Sequence, residues 1–464
     1  MKWAYVVAAL VFGLAAAGVT VVVPFVTTSF NVAAGYSAKL TCSAVFVAGR
    51  DPAHVYNHEL SGTIGKVTDV AVVNREERYV TTTASLFGFF PVQRLPLASD
   101  DVSLPPAPTN AWPARLAHGD GEEVDRELLN SVIEEQLDPA KHRDVDTRAI
   151  IVVRNGRIVA ERYGPDFQPH TRLASWSNAK SVISTLIGIR IAQGHLRLDQ
   201  TRLFPEWSNA ADPRSNITLA NLLHMSSGLE FDEKYDRHSD ARDMLFLRPS
   251  MSDFAVNKPL IHAPGTKWAY SSGTSNLLAR LLRSTFATDE EYWAFPRQAL
   301  YEPLGMDSAL METDAAGTFV GSSYMYATAR DWAKFGQLFL NEGQWPTDGD
   351  AAEEHQQVLT PGWVRYVQTP APASKHRYSA QWWLNGAATE GKGDDVFDAA
   401  SADLFWQREL PTDAYWAHGF EHQFVMVVPS RKAVIVRLGR TPDVTKWDLA
   451  RFFRVVFQAL PPSS

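Results

Sequence analysis

A chain of 464 residues, 45% hydrophobic and 21% charged, has the composition of a folded protein and the length for one large enzyme domain with attachments. Its formal net charge of −8, with no long basic run, argues against a nucleic-acid surface, because phosphate binding needs clustered Lys and Arg. The single cysteine, Cys42, leaves no intramolecular disulfide to form.

In chain order, the first feature is apolar. After Lys2, the run from Trp3 to Val23 carries no charge, which suits a transmembrane helix of roughly 20 residues. Residues 1–25 therefore read as a membrane anchor or a removed signal segment, the small residues Ala15-Ala16-Ala17 leaving room for cleavage. Lys2 on the cytoplasmic side places the remainder outside, anchored to an inner membrane or exported to the periplasm. Leu40-Thr41-Cys42 superficially resembles a lipobox, but Thr41 is a poor neighbour for a lipidated cysteine, so Cys42 is expected to be a plain buried thiol. Residues 26–115 form an N-terminal extension and linker, with short β-like runs at Val45-Phe46-Val47 and Val70 to Val73. A Pro-rich stretch from Leu104 to Pro113 closes it.

From residue 116 to 464 strand and helix signals alternate. Ala149 to Val153 is a β-branched run, Asn155-Gly156 signals a type I′ turn, and Ile158 to Glu161 returns as a second strand. Ser181 to Gln193 has helical periodicity and stops at Gly194, and Thr218 caps a helix opening at Leu219. Phe424 to Val428 and Ala433 to Leu438 predict two strands, and Trp447 to Leu460 a closing helix. Strands at both ends with helices between them predict an α+β fold, with one antiparallel sheet built from both ends of the domain and helices on its faces.

The chemistry centres on Ser177-Asn178-Ala179-Lys180. Residues three apart share a helix face, so the Lys180 amine reaches the Ser177 hydroxyl. A serine needs a neighbour to take its proton, and a lysine can do so once burial lowers its pKa. At a helix N-terminus the serine also turns its own N–H toward a developing oxyanion. Alone, the same four residues equally describe a serine N-cap with a solvated lysine one turn on.

A second motif, Tyr270-Ser271-Ser272, follows Pro264-Gly265-Thr266-Lys267-Trp268-Ala269 and precedes a helix from Asn276 to Leu282. Further landmarks are Gly194 to Asp199, Leu223 to Leu229 and Ala327 to Gly336. With these the chain, from Val145 to Leu438, resembles the serine β-lactamase and penicillin-binding superfamily. It is most similar to the branch joining class C β-lactamases, D,D-peptidases, esterases and 6-aminohexanoate-oligomer hydrolases. That resemblance implies the β-lactamase-like fold with its all-helical subdomain. It also implies Ser177 as nucleophile and Lys180 with Tyr270 as general base and acid, Tyr270 acting as phenolate or through a proton shared with Lys180. Ser272 stands where relatives often carry Asn to position the substrate.

The family's third motif, a Lys-Thr-Gly on an edge strand, is expected within Trp416-Ala417-His418-Gly419-Phe420-Glu421-His422-Gln423-Phe424, which has no lysine in the expected place. It looks more like the Gly-x-x-Gly-Gln form of the esterase and amidohydrolase branch, with His422 in place of the second glycine. By that alignment the backbone N–H of Phe420 joins that of Ser177 in the oxyanion hole, and Gly419 and His422 line the substrate site. His418 and His422, four apart on a strand, are not a helical metal pair. Arg437 or Arg440 is left to supply a cation, or to be solvated. The expectation is a serine hydrolase acting on a small amide or ester, without cofactor or metal. A D,D-peptidase, a β-lactamase and a catalytically idle membrane-tethered binding module are the alternatives.

Overall fold

The computed structural model describes residues 32–60, 72–74, 79–82, 93–96, 111–113, 116, 124–138, 145–235, 238–347, 355–385, 408–441 and 443–462. The expected membrane segment, residues 1–25, lies outside them, as does the Pro-rich run from 104 to 110. Among the described residues no helix is long and apolar enough to cross a membrane.

The chain divides into two compact units. One comprises Met1–Asp100 with Lys234–Pro249, the other Asp101–Glu233 with Ser250–Ser464. In the first, residues 32–46 are helical and Cys42 is a buried thiol. The run at 45–47 is thus not a strand; the helix takes residues 45 and 46, β-branching being a weak preference that packing overrides. Gly35 lets this helix meet Asp240–Leu247, since a Cβ there would lie 2.5 Å from the Phe246 carbonyl oxygen. A three-stranded antiparallel sheet joins Val72–Asn74, Tyr79–Thr82 and Gln93–Pro96.

The second unit runs α1 (Arg126–Leu137), β1 (Asp146–Arg154), β2 (Arg157–Tyr163), α2 (Asn178–Ala192), α3 (Leu219–Leu223), α4 (Ser272–Arg283) and α5 (Ala329–Leu340). It closes with β3 (Trp383–Leu384), β4 (Tyr415–Gly419), β5 (Gln423–Val428), β6 (Ala433–Arg440) and α6 (Leu449–Ala459). The six strands form one antiparallel sheet in the order β3-β4-β5-β6-β1-β2. The pairing of β6 with β1 joins the two ends of the domain, as the strand pattern predicts. Asn155 and Gly156, both at positive φ, make the tight β1–β2 turn.

Because neighbouring residues of a strand face opposite ways, a sheet covered on both sides is apolar at every position. Ile150, Val152, Phe424, Met426 and Ile435 pack with Val132 and Ile133 of α1 and with Phe452, Phe453 and Val456 of α6. On the other face Gly336 brings α5 onto the sheet, where a Cβ would meet a Val434 methyl at 2.5 Å. Helix α2 is buried from Asn178 to Arg190, its polar Ser181 and Ser184 hydroxyls paired with the Gln381 and Ala380 carbonyls. Gln381 ties three helices together: its carbonyl accepts from Ser181 of α2, its Oε1 accepts from Ser275 of α4, and its Nε2 donates to the Leu223 carbonyl of α3.

Candidate active site

The foot of α2 carries the site. Leu173–Ala174 pairs with residues 326–327 and the Ser175 N–H donates to the Met325 carbonyl, which pins the chain just before the helix. Trp176 then turns through φ 49°, a left-handed conformation costly for a bulky side chain, and Ser177 becomes the N-cap. The Ser177 hydroxyl caps no backbone N–H, so the residue is an N-cap by position only. The capping alternative for this serine therefore does not hold.

Lys180, 1% exposed, is not solvated either. Its Nζ donates to Ser177 Oγ at 3.0 Å, to Ser272 Oγ at 3.0 Å and to the Ser322 carbonyl at 2.9 Å. Burial lowers its pKa to about 8, with the Glu233 carboxylate pulling the other way. It also stands 4.9 Å from the centre of the Tyr270 ring. Tyr270 is buried among Met225, Trp268 and Tyr378, with the Ser177 hydroxyl close enough to act on its phenol. Burial first, and the Glu233 charge second, raise its pKa well above the ordinary phenol value. Both influences favour the neutral phenol over a resting phenolate. The structure thus brings together the expected Ser177, Lys180, Tyr270 and Ser272.

Two partners escaped the sequence. Glu233, 1% exposed, accepts from the Ser272 N–H at 2.7 Å and from the Ser272 hydroxyl at 2.5 Å. The Ser322 carbonyl is the other, held in place by its own N–H on Asn276 Oδ1 at 3.3 Å. A Phe-Asp-Glu run beginning two residues after Leu229 is the only signal for Glu233, and acids in loops are mostly solvated.

The expected third-motif strand is instead a hairpin, β4 and β5 turning through Phe420-Glu421-His422. A further strand, β3, lies outside β4, so β4 is not the sheet edge. Gly419 lets β4 press against the loop before Ser177, since a Cβ there would lie 2.3 Å from the Ser175 carbonyl oxygen. This contact sets the Phe420 backbone beside the foot of α2, and the Phe420 ring meets Trp176 edge-on at 5.8 Å. Glu421 and His422 both have positive φ, which explains why a glycine suits this turn. The His422 ring is directed elsewhere: among the described residues it stacks on His418 at 5.6 Å and meets Trp447 at 6.0 Å, not Ser177. Burial keeps both histidines below their ordinary pKa, His418 at about 4.

Arg437 supplies no cation to the cleft. It is fully buried and donates to the Glu421 and His422 carbonyls at 2.9 and 3.3 Å and to Thr147 and Thr441, clamping the hairpin turn from behind. Burial lowers its pKa to about 9.

An antiparallel sheet from both chain ends, with a serine at the foot of a central buried helix, is the architecture of a class of serine hydrolases, and this chain is one of them. It belongs to the Beta-lactamase family, whose profile matches residues 129–452. It is 24% identical over 321 residues to the 6-aminohexanoate-dimer hydrolase of Paenarthrobacter ureafaciens, covering 64% of this chain and 73% of that one. Among solved structures, a Bacillus anthracis protein assigned as a 6-aminohexanoate-dimer hydrolase superposes with a TM-score of 0.52 at 20% identity, covering 75% of this chain and 86% of that one. A family VIII carboxylesterase gives 0.53 at 12% identity, over 74% of this chain and 99% of that one. A penicillin-binding protein homologue from Caulobacter crescentus gives 0.51 at 16% identity, over 74% and 99%. At these identities the structural likenesses speak for the fold.

Proposed function

We propose that the protein cleaves a small amide or ester through an acyl-enzyme on Ser177. The observation that carries this reading is the Lys180 amine at 3.0 Å from the Ser177 hydroxyl, buried and with its pKa brought near neutrality. Neutral Lys180 takes the hydroxyl proton as the Ser177 oxygen bonds to the substrate carbonyl carbon. The Ser177 and Phe420 N–H groups receive the oxyanion. As the tetrahedral intermediate collapses, the bond to the leaving amine or alcohol breaks. The Tyr270 hydroxyl gives that group its proton and is refilled from the Lys180 ammonium. Water then attacks the acyl carbon, its proton returning through the same pair, and the carboxylic acid leaves with Ser177 restored.

The relatives named for 6-aminohexanoate-dimer hydrolysis and carboxylester hydrolysis support this substrate class. The β4–β5 hairpin, which lacks the lysine of penicillin-recognising members, supports it over a β-lactam. The run from Trp3 to Val23 supports export of the catalytic unit, tethered at a membrane by residues 1–25.

A fluorophosphonate probe with a penicillin analogue in parallel tests the reading. Labelling by the fluorophosphonate, lost in a folded Ser177→Ala protein, is the expected result. Labelling of the wild type by neither reagent would overturn it in favour of a binding module, and slow-releasing penicillin labelling in favour of a peptidase.

A further inference from the structure

The directions of the hydrogen bonds around Lys180 hold more than the distances. The Ser272 hydroxyl donates to Glu233 Oε1, so its oxygen is an acceptor toward Lys180. The Ser322 carbonyl can only accept. A neutral amine has two hydrogens and one lone pair. With both hydrogens committed to Ser272 and Ser322, the lone pair is left with one direction, the Ser177 hydroxyl at 3.0 Å. We propose that Glu233 is a positioning residue which, by holding the Ser272 hydroxyl hydrogen, aims the Lys180 lone pair at the nucleophile.

This rests on the reading of Ser177 as nucleophile and Lys180 as base, and it gives Ser272 a task other than substrate binding. It also specifies what an isosteric amide does at position 233. The backbone N–H of Ser272 needs an acceptor, now met by Glu233 Oε2 at 2.7 Å. In a Glu233→Gln protein the amide oxygen takes that place and the amide nitrogen faces the Ser272 hydroxyl as a donor; the reverse placement sets two N–H donors face to face. The Ser272 hydrogen then turns to the Lys180 nitrogen at 3.0 Å. The lone pair is captured by the wrong serine.

The charged and titratable groups acting on Lys180 are Glu233 and Tyr270, with Tyr378 behind Tyr270. Glu233 holds the amine's pKa up, so its neutralisation moves the acid limb of kcat/KM to lower pH while the alkaline plateau falls.

The test measures kcat and KM for a chromogenic ester on the alkaline plateau, with thermal melting as the check on folding. Glu233→Gln is expected to lower kcat by about a hundredfold with KM little changed, as for loss of a base. The Glu233→Gln/Ser272→Ala double variant, which has no hydroxyl to capture the lone pair, is expected to recover at least about tenfold over the single one. A folded Glu233→Gln enzyme within about threefold of wild type, or a double variant no better than it, overturns the proposal. Should Glu233→Gln alone not fold, Ser272→Ala and the double variant carry the test. Without the hydroxyl the carboxylate no longer aims the amine, so their plateau rates should agree within about threefold, and a tenfold gap overturns the proposal. Ser177→Ala runs beside them: full activity there removes the acyl-enzyme reading itself, whereas the position-233 outcomes bear on the aiming alone.

Discussion

Replacing Gly419 with alanine places a methyl carbon 2.3 Å from the Ser175 carbonyl oxygen. An ordinary C–H···O contact is about 3.3–3.6 Å, so the end of β4 must retreat by about 1 Å. The obstacle is backbone, pinned by the Ser175 N–H on the Met325 carbonyl, and yields little. The residue that follows β4 is Phe420, whose N–H is the proposed second oxyanion donor, so on that proposal the retreat falls where the charge develops. Loss of one such donor costs about 2.7–4 kcal/mol of transition-state stabilisation, and a displacement of about 1 Å alone costs about a hundredfold. We expect kcat for a chromogenic ester to fall about 100- to 1,000-fold with KM changing far less. Overpacking also removes about 1–3 kcal/mol of stability. Steady-state kinetics with a melting curve on the same preparation separate the two effects. A Gly419→Ala enzyme with wild-type melting and kcat within about threefold would refute the placement of Phe420 in the oxyanion hole.

Two further outcomes follow from the hairpin. Arg437→Met removes the donors to the part-buried Glu421 and His422 carbonyls and to the buried Thr147 and Thr441 hydroxyls, so urea unfolding should show a loss of about 2–4 kcal/mol. In the protein that remains folded, kcat should fall with it; wild-type kcat would show that the clamp does not serve the site. His418 titrates at about 4 in the fold against an ordinary 6.5, so the unfolded chain binds the extra proton between those values. Stability is therefore full above about pH 6.5 and is lost as pH falls toward 4, His422 acting in the same direction. Melting temperature against pH should decline over that window and flatten in His418→Gln; an unchanged slope would rule out this origin.

What could be read from the sequence was local. The β-branched run at Ala149 to Val153, the Asn155-Gly156 turn and the Thr218 cap each state their structure within a few residues, and each is found in the fold. The Ser177–Lys180 pair is one helical turn apart, so its meeting needed only the helix. Tyr270 came from resemblance rather than from pattern. The parts that could not be read are made by distant contacts. Lys180 meets Ser272 across 92 positions and the Ser322 carbonyl across 142, and no periodicity encodes such pairs. Arg437 read as a solvated or ligand-facing cation because its environment is set by β5 and β1, to either side of its own strand. The hairpin at 420–422 was taken for continuous strand because the residues at positive φ, Glu421 and His422, are not ones that usually mark a turn.

Gln381 carries a consequence for how this enzyme adapts. One residue, holding two helices by its side-chain amide and a third by its backbone carbonyl, couples their mutual spacing. Change is then left to the aromatic pair at Trp176 and Phe420 and to the loops around it, while the frame bearing Ser177 keeps its dimensions. Diversification in such an enzyme is a matter of the doorway rather than of the walls.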